Sequence, residues 1–416
     1  MDKKPGKLVP EVRFKGFTDD WEQHKLENVF TKYQKRINPT QQNLELWSLT
    51  IDQGLVAKTK RYDRSFLVRK NDIFNLVPKG YFVYNPMNIT LGTIDVNKYH
   101  SIAVSGYYIV LKSNDQFNVA FLASLLHTSS MINKYKRFST GSLLEKQRLQ
   151  FPNFAKVKII SPRLSEQTKI GLLMNQVNNL IDLQQRKLEQ LKQLKKAMLQ
   201  QLFIDKKSKQ PNLRFKIFNG DWEQRKFLDE IDSIIDYRGK TPKKLGMSWS
   251  KTGYLALSAL NVKNGWIDKK SKDSHFGSQA LYDIWMKNTP LYKDQVVFTT
   301  EAPMGNVAQI PDNEKYILSQ RTIAFNPSQR LIDGFLADLL STKNIQNKLM
   351  SLATGGTAKG VSQKSLKFLK IAFPSNEEQN FIHKVIKLFQ ILITLQQTKL
   401  TQLTTLKKYL LQNLFI

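Results

Sequence analysis

Cations in this sequence gather in short runs beside aromatic residues and glycines. Lys58, Lys60, Arg61, Tyr62 and Arg64 form one run, Lys79 and Tyr81 flank Gly80, and Lys136 and Arg137 form a pair. The densest run is Tyr237, Arg238, Gly239, Lys240, Thr241, Pro242 and Lys243. Gln320 and Arg321 sit just before an expected strand, and Gly356, Thr357 and Lys359 lie in a glycine-rich loop. Arginine can grip guanine through two hydrogen bonds, glutamine can do the same with adenine, and lysine serves phosphate. Glycine lets backbone amides approach phosphate oxygens closely. These residues are the candidates for contact with double-stranded DNA. A charge run is also the usual form of a solvated face, so the clusters do not decide the matter by themselves.

Catalytic constellations are missing from the sequence. The five histidines (His24, His100, His127, His275 and His383) are scattered without ligand spacing. With no cysteine, thiolate metal sites, cysteine nucleophiles and disulfides are excluded. The run Gly355-Gly356-Thr357-Ala358-Lys359-Gly360 has the wrong spacing for a phosphate-binding P-loop, and no Gly-x-Ser-x-Gly elbow occurs. The Asn-Pro pairs at 38, 85 and 326 continue as Thr40, Met87 and Ser328, not as the Pro-aromatic of an adenine methyltransferase. The reading is a chain without its own active site, binding no metal or cofactor. The alternative is a catalytic DNA methyltransferase or nuclease with its own DNA-reading domains.

Lysine and arginine total 64 against 34 acidic residues, a formal charge of +30 with an isoelectric point near 9.9. Such self-repulsion is relieved by a polyanion, and nucleic acid is the first choice. No apolar run approaches the ~18 residues a membrane helix needs, and the first residues lack the apolar core of a signal peptide. The expectation is a cytoplasmic protein with no membrane partner.

The elements that must position these residues come in two copies. Residues 181–204 recur at 393–416 with 16 of 24 identical at an offset of 212. Residues 10–26 recur at 211–227 with 10 of 17 identical at an offset of 201. Segments 166–204 and 378–416 contain no proline and are rich in helix formers. Leu188, Leu191, Leu194, Met198 and Leu202, repeated as Leu400, Leu403, Leu406, Leu410 and Leu414, are spaced for a coiled-coil seam. Each helix then has the other as its natural partner.

The fold class is α+β, with an internal pseudo-twofold repeat of two globular domains joined by two long helices. Residues 1–19 are a lead-in, 20–165 the first domain, 166–204 the first helix and 205–220 an exposed linker. Residues 221–377 form the second domain and 378–416 the second helix. Single elements are expected at Ile102–Leu111 (strand) and Phe117–Lys134 (helix).

The order of these features resembles the specificity subunits of type I restriction–modification enzymes. The resemblance is carried by Asp-Trp-Glu-Gln at 20–23 and 221–224, Tyr-Arg-Gly-Lys-Thr-Pro at 237–242 and the segments 298–305 and 354–360. The helix starts at 165–167 and 377–379 and the two near-identical terminal helices add to it. It implies two target recognition domains, each reading half of a bipartite asymmetric DNA sequence, held by an antiparallel coiled coil. It further implies two methyltransferase subunits as partners, using S-adenosylmethionine, and restriction/translocase subunits using ATP and Mg. The first domain departs from the pattern, with Lys35-Arg36-Ile37-Asn38-Pro39-Thr40 in place of Arg-Gly-Lys-Thr-Pro.

Overall fold

Both expected long helices form as uninterrupted elements, Leu164–Gln201 and Asn376–Asn413. The computed structural model describes residues 8–39, 41–58, 73–141, 147–205, 208–355 and 359–416. The chain divides into two units, Met1–Arg186 with Thr398–Ile416, and Lys187–Gln397. Each unit therefore owns the start of one long helix and the end of the other. In the first unit, Ile170, Met174 and Val177 share a core with Leu410, Leu414 and Phe415. In the second, Ile382 and Ile386 share a core with Leu202 and Phe203. Start lies with end in both units, so the helices run antiparallel.

A four-stranded antiparallel sheet is the centre of each unit. In the first its order is Phe30–Tyr33, Ile109–Ser113, Phe82–Tyr84, Ile94–Val96. In the second it is Ile231–Asp236, Thr322–Pro327, Val296–Thr299, Val307–Gln309. These strands are apolar on both faces because both faces are covered. Val296, Phe298, Ile323 and Phe325 point to the helices, while Val297, Ala308 and Ala324 point to a separate core around Leu255, Trp285 and Tyr316. Phe82 and Leu111 against Val83 and Val110 divide the first unit's sheet in the same way.

The repeated sequence motifs build one joint twice. The strand opening each unit pairs antiparallel with the strand closing it, Glu22–Lys25 with Lys158–Ser161 and Glu223–Lys226 with Lys370–Phe373. Arg13 donates twice to Glu166, and Arg214 twice to Glu378, all at 2.8 Å. The glutamate side chains are only 2% exposed, so losing either arginine strands a buried charge at a cost of about 3–5 kcal/mol. Gln167 donates to Pro162 O at 2.8 Å and accepts from Asn118 N at 2.9 Å. Gln379 repeats this with Pro374 O at 2.9 Å and Ile332 N at 3.0 Å. The lead-in and linker are thus strapped to the helix starts. Most described residues of 205–220 are exposed, while Arg214 within that stretch is held in the joint.

Two expected elements divide. Ile102–Leu111 is two strands in different sheets, Ile102–Ser105 and Ile109–Ser113, separated by a turn in which Tyr108 N donates to Ser105 O at 3.0 Å. Phe117–Lys134 is two helices, Val119–Leu125 and Ser129–Phe138. Thr128 adopts an extended backbone and caps the second helix by accepting from Met131 N. Thr342 does the same between Asp333–Ser341 and Lys343–Leu352.

The seam also differs from its expected register. Burial along the first helix recurs at Ile170, Met174, Val177, Ile181, Gln184, Leu188, Leu191, Lys195, Met198 and Leu202, and along the second at positions 212 later. The spacing alternates strictly between four and three, as a heptad requires. Leu194 and Leu406 stand outside it, 47% and 44% exposed. Lys195 and Lys407 occupy the seam in their place. Leu188→Ala and Leu410→Ala should each lower unfolding stability in urea by about 2–4 kcal/mol. Leu194→Ala and Leu406→Ala should change it by less than about 0.5 kcal/mol. Equal losses in both pairs would refute this register.

Candidate nucleic-acid interface

Strand register in the second unit brings distant cationic segments to one end of the central sheet. Asp236 pairs with Ile323 and Thr299 with Thr322. Residues 237–241, 300–305 and 320–321 consequently all leave the same end. A fourth segment is tied there by bridges of Gly360 to both Glu301 and Thr354, and by Val361 N donating to Thr300 O at 2.9 Å.

Two arginines at this end are held by carboxylates. Arg238 Nε donates to Asp236 Oδ1 and Oδ2 at 3.0 and 2.8 Å, and Gln363 Nε2 donates to Asp236 Oδ2 at 2.7 Å. Burial pushes the Asp236 carboxyl up, but the hydrogen bonds from Arg238 more than reverse this and leave it below its ordinary value. Arg321 sits in the left-handed region at φ +64°, with its Nε 3.0 Å from Glu301 Oε1. Its carbonyl accepts from Thr300 N at 2.9 Å. Both guanidinium groups keep an outward edge, with side-chain exposures of 36% and 54%. A guanidinium pinned on one edge presents the other as a preorganised fork for phosphate or guanine.

Lysines surround this pair. Lys240 Nζ lies 4.7 Å from the ring centre of Tyr237 and 5.2 Å from that of Trp285, and burial lowers the pKa of its ammonium. The Tyr237 hydroxyl bonds to Thr289, fixing the ring beneath that lysine. Thr241 caps the short 3-10 turn Pro242–Leu245, and Gly239, at φ +80°, supplies the left-handed turn into it. Lys243, Gln320 and Lys359 are exposed at the same end. Of the second unit's candidates, only Gly356 and Thr357 lie outside the described residues.

The first unit has an equivalent end, where a different set of residues gathers. Gln34–Arg36 follow Tyr33, Asn85–Met87 follow Tyr84, and Tyr107 precedes the strand at Ile109. Leu149 N donates to Pro86 O at 2.9 Å, and Arg148 bridges to Thr140, as Gly360 does to Thr354. Exposed Arg36, Tyr107 and Arg148 thus correspond to the arginine cluster of the second unit, and none was singled out by local charge. Only strand register could have found them. Lys79 and Tyr81 precede Phe82 and lie at the opposite end of this sheet, with Tyr81 packed 4.9 Å from Tyr33. Lys136 and Arg137 occupy the last turn of their helix, just before the Thr140 bridge. Lys58 lies over Phe74 at 5.8 Å. Lys60, Arg61, Tyr62 and Arg64 fall outside the described residues.

Among the described residues, no group of three His, Asp or Glu side chains could hold a metal ion, and no helix is long and apolar enough to cross a membrane.

Comparison with known proteins matches residues 18–193 and 219–405 to the family of the type I restriction modification DNA specificity domain. A Methanocaldococcus jannaschii protein provisionally named the MjaX type I restriction enzyme specificity subunit is 24% identical over 262 residues. That alignment covers 61% of this chain and spans 57% of the length of the relative. The crystal structure of the type I restriction–modification S subunit from M. genitalium has a TM-score of 0.63 at 13% identity, covering 98% of this chain and 99% of the other. A chain from a study of complex assembly and conformational transition of the type I R-M system has a TM-score of 0.52 at 15% identity, with 99% of both chains covered. At these identities the two structures establish a shared fold.

Replacing Arg238 and Arg321 together by alanine should weaken binding to a DNA duplex by about 1–3 kcal/mol and flatten its salt dependence. Lys79→Ala, at the far end of the first unit's sheet, should leave affinity within about twofold of wild type. Fluorescence anisotropy over a salt series reads both, and an unchanged double variant would remove this sheet end from the interface.

Proposed function

The chain belongs to the type I restriction modification DNA specificity domain family, and we propose that it is the specificity subunit of a type I restriction–modification complex. In this reading it recognises a bipartite, asymmetric duplex target and has no catalytic centre of its own. The observation that carries the reading is the repeated sheet end. The same four-stranded order occurs in both units, with Arg238 and Arg321 gathered at one end in the second and Arg36 and Arg148 at the equivalent end in the first. One architecture with two different sets of side chains suits two unlike half-sites. Linking two weak readers raises the effective concentration of the second once the first is bound.

The partners follow the same logic. Leu180, Leu183 and Leu194 are exposed on the first long helix, and Leu392, Leu395 and Leu406 are exposed on the second at an offset of 212. Each lies one residue ahead of a seam position, on one side of its helix. An apolar stripe presented twice suits two copies of one partner surface. The partners in this reading are two methyltransferase subunits, which bring S-adenosylmethionine to adenine. Restriction/translocase subunits supply ATP- and Mg-dependent work. The assembly acts on chromosomal DNA in the cytoplasm.

The test is genome-wide adenine methylation in the source cell with and without the gene. Loss of methylation at one two-part asymmetric motif is expected; an unchanged pattern where the assembled complex can be purified would overturn the assignment. Inserting one heptad after both Gln190 and Gln402 keeps the seam in phase and lengthens each helix by about 10 Å. The gap between half-sites should then grow by about three base pairs. A methylated motif with its original gap would show that the helices do not set the spacing.

A further inference from the structure

We propose that the second unit carries a docking cleft for an acidic, aliphatic-bearing segment of a partner protein. This inference is independent of the DNA reading. A cleft of about 980 Å³ lies between the end of the first long helix, the start of the second, the helix Asp333–Ser341 and the hairpin around Gly265. Five lysines line it: Lys192, Lys195, Lys196, Lys343 and Lys387. The one carboxylate in the lining, Asp338, has its Oδ2 2.8 Å from His383 Nδ1 and is shared electrostatically with Lys195 and Lys387.

The lysines are poorly neutralised. Lys192 pairs with Glu189 at 2.8 Å and Lys387 lies 4.0 Å from Asp294, exposed pairs of the kind that contribute little. Lys195 donates to the neutral Gln390 Oε1 at 2.7 Å, and burial lowers the pKa of its ammonium. Lys196 and Lys343 are exposed, and neither forms an ion pair among the described residues.

The walls between these charges are apolar, formed by Leu199, Val307, Ile386 and Ile391. Trp266, next in sequence to the lining residue Gly265, is 52% exposed. An exposed tryptophan beside a concave surface is characteristic of protein interfaces. Phosphates gain nothing from an apolar wall. A peptide alternating carboxylates with aliphatic side chains matches both the lysines and the walls. The first unit places Thr404, Gly171 and Asn175 where the second has Lys192, His383 and Lys387. Lys407 and Lys408 keep the positions of Lys195 and Lys196 in the first unit, so the second unit's cleft is distinguished by Lys192 and Lys387, and the proposal concerns that cleft alone.

The experiment is anisotropy of a labelled synthetic peptide of alternating glutamate and leucine, titrated with the full chain. A glutamine–leucine peptide is the control, and duplex DNA is titrated in parallel. Binding with a Kd on the order of 10 μM is expected for the acidic peptide only. Lys196→Glu with Lys343→Glu should weaken it at least about tenfold, a loss of about 1.4 kcal/mol. Lys196→Gln with Lys343→Gln should act in the same direction, with unchanged urea midpoints showing that both variants are folded. Saturating duplex should leave the peptide bound. Absence of peptide binding, or equal binding by the variants, overturns the proposal. Displacement by duplex, with a matching loss of duplex affinity in the variants, overturns it in favour of a phosphate track. Failure of the DNA reading would appear separately, as a wild-type chain that does not bind duplex.

Discussion

Each long helix must satisfy two cores with one register. The first packs Ile170, Met174 and Val177 into the first unit and Leu202 and Phe203 into the second, and the second helix does the reverse. A slip by one residue would rotate the helix by about 100° and lose both contacts together. The seam accordingly alternates three and four without interruption, and it tolerates costly polar residues at fixed points. Gln184 and Gln396 are buried in it. Burial lowers the pKa of Lys195 and Lys407, with Asp338 near the first and Asp182 near the second partly countering it. Apolar residues there would give more stability. Polar residues at seam positions instead penalise alternative registers, because a shifted helix would bury them without partners.

The same approach of helix to helix is achieved by opposite means in the two units. In the first, the glycine is on the long helix: a Cβ on Gly171 would lie 2.8 Å from Phe121 N and 3.0 Å from Ala120 Cβ. In the second, the long helix carries His383 at the equivalent position, and the glycine is on its neighbour. A Cβ on Gly334 would lie 2.4 Å from the His383 ring. The spacing is retained while the side chain filling it has changed sides. His383 then meets Asp338 at 2.8 Å, which gives the second unit a side-chain pair where the first has a close approach to the start of the neighbouring helix.

The repeat was legible because identical joints need identical residues. Arg13 with Glu166 and Arg214 with Glu378 form two copies of one buried ion pair, and Gln167 and Gln379 each close the same turn. The helices were legible by composition and length. Their register was not, because Leu194 is apolar and Lys195 is not, although strict alternation of three and four selects the lysine. A sequence pattern favours the leucine, whereas the partner helix seats the lysine's aliphatic stem with its ammonium on Gln390. Thr128 was invisible as a break because the apolar period continues across it, and the cap is set by backbone geometry. The second unit's DNA candidates came together because its cations cluster along the chain. In the first unit Arg36 and Arg148, which no local run of charge marks, approach only through strand pairing.

This difference follows from what each part must do. Joints and seam hold positions, so the chemistry that fills them is confined to a few geometries and repeats. In the proposed reading a recognition surface differs between half-sites, so only its placement at a sheet end is shared. The second unit adds preorganisation: Asp236 and Glu301 fix Arg238 and Arg321 before any partner arrives. Each guanidinium then has less rotamer freedom to lose on binding, a saving of about 0.5–1.5 kcal/mol per side chain. The carboxylates also offset part of the local positive charge, which restrains indiscriminate attraction to phosphate. Selectivity at such a surface comes from the direction in which a held cation points, and direction is what a strand end braced by three neighbouring segments can supply.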